Sequence, residues 1–158
     1  MNIFILDRDQ TLCARYHLDK HVVKMPLETA QMLCTALVCH GIEAKYKVAH
    51  KNHPCSKWVR QTKSNFEWLC LLGIALCKEY SYRYDNRIHK CELVIADCMG
   101  KANGIPDGEL TDFAQAMPDE YKHLDAVEAY RAYYMGAKAS LASWKNRETP
   151  EWWKSNGN

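Results

Sequence analysis

A chain of 158 residues and 18.3 kDa fits one domain, because two halves of that length would each bury too little apolar surface to offset chain entropy. With 47% hydrophobic and 25% charged residues the composition excludes intrinsic disorder, while a formal net charge of +2 by itself names no partner. Met1 to Leu6 is too short, and too soon followed by Asp7, Arg8 and Asp9, to be a signal peptide, and no apolar run reads as membrane-spanning. The chain is therefore expected to be a soluble, cytoplasmic monomer with no membrane partner. Eight cysteines without a CxxC pair read as reduced, small core residues rather than a disulfide scaffold or zinc ribbon.

In chain order, Met1 to Leu6 reads as a short extended stretch, and Asp7 or Asp9 can cap a short helix running toward His17. A helix from Asp19 to His40 follows and stops at Gly41, with Pro26 expected to kink it or start its second half. Pro54 suits a first-turn position, and Trp58, Phe66, Leu69, Leu76 and Tyr80 recur at helical spacing, predicting one long helix to about Tyr82. A further helix is predicted over Asn86 to Met99, with Ile88, Cys91, Val94, Ile95 and Cys98 on the core face. The Gly104, Pro106 and Gly108 cluster marks the one long loop, Pro118-Asp119-Glu120 a short turn, and Asp125 to Trp144 the last helix. No alternating strands are visible, so the fold class is mainly α: a single-domain bundle of four to five helices, covering 1–158, around one long central helix, with an irregular tail over 149–158.

Charge is unevenly spread. Ala44 to Asn65 holds Lys45, Lys47, Lys51, Lys57, Arg60 and Lys63 with no acid, and Ala129 to Arg147 holds Arg131, Lys138, Lys145 and Arg147 with none either. Between them, Asp97 to Glu128 is acidic. Charge runs are often only solvated helix faces, but two basic runs with interleaved aromatics predict a polyanion-binding face, to which Trp152 and Trp153 are assigned as stacking groups. Tyr130, Tyr133 and Tyr134, at helical spacing, read first as core.

The densest polar cluster is Arg15 to Lys24, followed by Glu28. On a helix, His17 and His21 share a face with Lys24 and Glu28 nearby, so an acid, a base and a cation can converge there, joined by His53. His17-Leu18 ahead of Pro26, Asn52-His53-Pro54 opening an aromatic helix with Trp58, Phe66 and Trp68, then Tyr130-Arg131-Ala132-Tyr133-Tyr134 with Lys138 and a Trp-rich end, together resemble the pyrimidine-dimer DNA glycosylase (endonuclease V) family. The resemblance implies a small all-α enzyme without a cofactor that bends double-stranded DNA, displaces a base and cleaves a pyrimidine N-glycosidic bond. It also implies a carboxylate against the developing sugar cation and an N-terminal α-amine as nucleophile.

Two positions depart from that pattern. Asn2 is larger than the residues that permit removal of Met1, which argues against the family's amine and its strand-cutting step. The family's glutamate falls on Lys24, so the carboxylate is expected from Glu28 or Asp19, with Lys24 a substitute nucleophile where burial favours its uncharged form. These departures favour excision by activated water, leaving an abasic site, on a photodimer or a bulky modified phage pyrimidine, in repair or antiviral defence. Two other readings remain open: a metal-dependent nuclease using His17 and His21 with His50, His53 or Asp19, and a non-catalytic DNA-binding protein.

Overall fold

The computed structural model describes residues 1–154, which form six α-helices and three single-turn 3-10 helices with no strand among them, so the mainly α reading holds. The first segment is irregular and central, with Ile3, Phe4, Ile5 and Leu6 all buried. Asp9 then accepts from the Leu12 N–H at 2.9 Å and opens α1 (Gln10–Tyr16). Its side chain satisfies a donor that the first helical turn leaves free.

The 21-residue α2 (Asp19–Cys39) runs through Pro26 without a break, so the proline does not start a second half. Three residues before it, the Val23 carbonyl accepts from His89 Nε2 at 2.9 Å. A ring from a later segment thus satisfies backbone next to the point where proline removes a donor. Gly41, at φ 77°, ends the helix in the left-handed region. Contrary to the sequence reading, α2 is long and apolar enough by composition to cross a membrane, with a mean hydropathy of 1.2. Two-thirds of that window (67%) is buried inside the bundle, as a core helix requires.

The single long helix predicted from Pro54 is two: α3 (Pro54–Val59) and α4 (Lys63–Arg83). The apolar spacing continues across the break, but Thr62 adopts extended backbone and its hydroxyl accepts from the Asn65 N–H at 3.1 Å, capping α4 anew. Buried Asn65 secures the joint, donating to the Trp58 carbonyl at 2.9 Å and accepting from the Thr111 N–H at 2.9 Å. The spine of the molecule is α4, which packs against α1, α2, α3 and α5. Gly73 lets α2 and α5 close on α4: a Cβ there would stand 2.9 Å from Thr29 Cγ2 and 3.1 Å from Ile95.

The helix expected from Asn86 starts later, as α5 (Glu92–Met99). Asp85 and Asn86 take φ 54° and 60°, a left-handed pair that turns the chain instead of continuing a helix. Ile88, expected in the core, is therefore on the surface at 75% exposure, while Cys91, Val94, Ile95 and Cys98 are buried. The last helix is α6 (Ala126–Ala137), capped by Asp125 and shorter than predicted; a 3-10 turn, Ala139–Leu141, follows. Eight free cysteines are present, seven of them buried. The C-terminal segment is irregular to Lys154 but packed, with Trp152 edge-on to Tyr16 and Trp153 edge-on to Trp144; residues 155–158 of the predicted tail lie outside the described ones.

A buried charge network ties this segment to the spine. Arg83, fully buried, donates to Glu79 at 2.9 Å, to Asp19 at 3.0 Å and to the carbonyls of His17 and Arg15. Arg147 adds two bonds to Glu79, at 3.0 and 2.9 Å. Burial opposes ionisation of Glu79, but Arg147 and Arg83 together outweigh it and hold the carboxyl below the usual range.

Candidate active site

Asn2 builds the site. Its amide Nδ2 donates to the Ala116 carbonyl at 2.9 Å, while its Oδ1 accepts from the Ile3 N–H at 2.8 Å and from the Tyr130 hydroxyl at 2.9 Å. Tied to a loop, to the buried first segment and to α6, the residue cannot swing. Its N–H therefore points at Glu28 Oε1, 3.0 Å away, and the Met1 α-amine lies 3.3 Å from the same oxygen. Glu28, one helical turn after Lys24 on α2, is 8% exposed, and its other oxygen faces Lys24 Nζ at 3.5 Å.

These groups open onto a cavity of about 180 Å³ lined by Met1, Asn2, Glu28, Lys24, His21 and Lys138, with Phe4, Met25 and Tyr133 completing the wall. Phe4 stacks on His21 at 4.4 Å, and Lys138 Nζ sits 5.2 Å from the Tyr133 ring. Three cationic groups, the Met1 amine, Lys24 and Lys138, thus share one cavity with a single carboxylate, an arrangement that attracts phosphate.

His21 is bonded from behind. The buried Tyr134 hydroxyl accepts from the Leu18 N–H at 3.3 Å and meets His21 Nδ1 at 2.7 Å, and a hydroxyl that donates there sets the ring's tautomer. The neutral ring then carries its proton on Nε2. Burial, reinforced by His17, Lys138 and Lys24, pushes His21 down to about 3, so the imidazole stays a neutral donor at working pH.

The remaining sequence candidates fall elsewhere. His17 is fully buried with Nδ1 on the Cys13 carbonyl at 2.7 Å; burial lowers it to about 4, and it lines no part of the cavity. Asp19 accepts from Arg83, Ser143 and the Lys145 N–H, so it anchors the C-terminal segment. His53 caps α3 by accepting from the Cys55 N–H at 3.1 Å and does not line the cavity; burial lowers its affinity for protons, and the N-terminal amine lowers it further. Lys24 has 70% of its side chain in solvent, so the burial on which a lysine nucleophile depended is missing. Among the described residues no three His, Cys, Asp or Glu side chains converge to hold a metal ion, which leaves the His17–His21 nuclease reading without a third ligand.

The basic positions also divide. Lys45, Lys47, Lys51 and Lys57 are exposed and form no ion pair among the described residues. Arg60 and Lys63 are half-buried, bonded to the Lys51 carbonyl and to Asn103. Arg131 pairs with Asp7 and covers Trp152 at 5.1 Å, and Arg147 belongs to the Glu79 network. Lys145 lies over Tyr84. Lys138 lines the cavity itself. Sequence reasoning missed Phe4 as a wall of the site; its place in the first apolar segment, two residues from Asn2, was the available signal.

A family model described as pyrimidine dimer DNA glycosylase matches residues 1–92, a span that holds Met1, Asn2, His21, Lys24 and Glu28 but stops before Tyr133 and Lys138. No curated protein and no solved structure matches the chain.

Proposed function

The chain belongs to the pyrimidine dimer DNA glycosylase family, and from that premise we propose that it excises a pyrimidine photodimer from duplex DNA using the Met1 amine and Glu28. The observation that carries this reading is the pair itself: a nucleophilic nitrogen 3.3 Å from a nearly buried carboxylate, inside a cationic cavity. The carboxylate comes one helical turn later than the family pattern places it. Retention of Met1 does not remove the amine, because Met1 brings its own to Glu28 Oε1 and Asn2 N lies at 3.0 Å from the same atom. This proposal departs from the water-activated route favoured on sequence grounds.

In the proposed reaction the Met1 nitrogen bonds to C1′ of the deoxyribose while the C1′–N1 bond breaks and its electron pair leaves with the pyrimidine. Glu28 stabilises the positive charge building on the sugar and takes the proton released by the amine. His21, as a neutral Nε2–H donor, offers the departing base a hydrogen bond. Ring opening at O4′, with a proton passing to that oxygen, leaves an imine between Met1 and C1′; loss of a C2′ proton then expels the 3′ phosphate. An α-amine suits the task because it ordinarily titrates about two to three units below a lysine side chain.

At about 180 Å³ the cavity is smaller than the roughly 300 Å³ at which ligand pockets usually begin, so it takes the reacting sugar edge while the rest of the duplex lies outside. Lys45, Lys47, Lys51 and Lys57 are the free cations assigned to phosphates. Incubation with irradiated duplex DNA, and in parallel with DNA carrying bulky modified phage pyrimidines, tests the substrate. Abasic sites or nicks at photodimers support the proposal; products only on the modified DNA replace the substrate, and none on either defeats the glycosylase reading.

A further inference from the structure

The loop between α4 and α5 carries a side chain that the fold leaves unused. Among the described large hydrophobics, Ile88 at 75%, Leu93 at 75% and Leu124 at 104% are the most exposed. Leu93 follows Glu92 and Leu124 precedes Asp125, but Ile88 stands between Arg87 and, two residues on, Lys90, both in solvent. The loop is rigidly held. Asn86 N–H donates to the Ser81 carbonyl at 2.9 Å, the Ser81 hydroxyl to the Arg87 carbonyl at 2.7 Å, and His89 Nε2 to the Val23 carbonyl at 2.9 Å. Left-handed Asp85 and Asn86 complete the turn. An aliphatic side chain is thus presented to solvent by backbone that is itself fixed.

Ile88 also borders a groove of about 530 Å³, formed by Val23, Leu27, Tyr80 and Ile88 together with Lys24 and Lys90. Lys24 lines both this groove and the Glu28 cavity, so the two adjoin at its side chain. We infer that Ile88 is a wedge that enters the base stack of the duplex beside the lesion while Arg87, Lys90 and Lys24 hold the flanking phosphates. The inference rests on the glycosylase reading and adds to it the residue that opens the DNA. An apolar tip between cations fits a duplex, whose phosphates flank an apolar stack, and proteins that kink DNA use such side chains to separate base steps. The position suits the chemistry, because a sugar can reach a small cavity only if the stack beside it has been disrupted.

The test uses the full-length protein and a duplex with one thymine photodimer and a 2-aminopurine in the complementary strand beside it. Wild-type binding raises the 2-aminopurine fluorescence as stacking is lost. Ile88→Ala binds within about threefold, because the phosphate contacts remain, yet gives less than half the fluorescence rise and cuts single-turnover excision about tenfold. On a duplex whose complementary strand is already gapped opposite the dimer, the variant returns to within about threefold of wild type, and Ile88→Leu is close to wild type on both. Equal fluorescence and excision for Ile88→Ala on the intact duplex overturns the wedge, and so does a defect that persists on the gapped one. Absence of abasic product from the wild type instead overturns the glycosylase reading, since the fluorescence change needs no turnover.

Discussion

Replacing Glu28 with glutamine changes one charge and almost no volume. In the folded protein the carboxylate accepts from the Asn2 N–H at 3.0 Å and faces the Met1 amine at 3.3 Å, with 10% of its side chain exposed. Glutamine keeps an oxygen for Asn2, so the loss is the difference between charge-assisted and neutral bonds, about 1 kcal/mol. For a chain of this length that is a fall of about 2–4 °C in Tm. The catalytic loss is larger. A carboxylate about 4 Å from a developing sugar cation contributes about 4 kcal/mol at an effective dielectric of 20, close to the roughly 100- to 1000-fold usually lost when one such stabilising group is removed. Single-turnover excision on photodimer duplex, with Tm from circular dichroism and affinity from anisotropy, measures all three quantities. The expected variant is about 100- to 1000-fold slower, slightly less stable, and equal or tighter in DNA binding. A rate within about threefold of wild type would refute the role given to Glu28.

Three further outcomes are expected. His17 is held at about 4 and His21 at about 3 against an ordinary 6.5, so both are neutral when folded and take up protons on unfolding in acid. Stability is therefore fully present above about 6.5 and declines as pH falls toward 4, ahead of most carboxylates; His17→Gln flattens Tm against pH in this window, and an unchanged slope contradicts the assignment. Gly73→Ala forces a methyl against Thr29 and Ile95 and costs about 1–3 kcal/mol by denaturant unfolding, so a neutral result means that α2 and α5 yield more easily than their packing indicates. Each of Lys45, Lys47, Lys51 and Lys57 changed to Gln reduces the slope of log Kd against log salt by about 0.9 if it touches phosphate; slopes unchanged across all four remove this face from the DNA interface.

The helical class, the start and stop of α2, the Asp9 cap and the buried cysteines were legible because periodicity and capping are local. The break at Thr62 was not, since Trp58, Phe66 and Leu69 keep one apolar stripe across it and only the Thr62–Asn65 spacing announces a new cap. Ile88 was placed in the core by the same stripe logic, against the left-handed tendency of the Asp85-Asn86 pair that precedes it. Within the site, the cluster of His21, Lys24 and Glu28 followed from helical spacing, whereas the partners of Arg131 and Arg147 lie 124 and 68 residues away and left no local trace. Glu79 and Arg83 stand at i, i+4, a spacing equally at home on an exposed helix face, and their burial is a property of the assembled bundle. Lys138 sits in a charge run that resembled a DNA face, and tertiary structure alone brings it to Glu28's cavity.

The covalent bond from the Met1 nitrogen to the sugar is open to direct chemical trapping. Borohydride added during turnover of irradiated duplex DNA reduces an imine to a stable amine, and peptide mapping by mass spectrometry locates the adduct. A cross-link is expected on the Met1 α-nitrogen, and it disappears when the N-terminus is acetylated and in Glu28→Gln. Excision that proceeds with no trapped adduct, or with the adduct on Lys24, contradicts it.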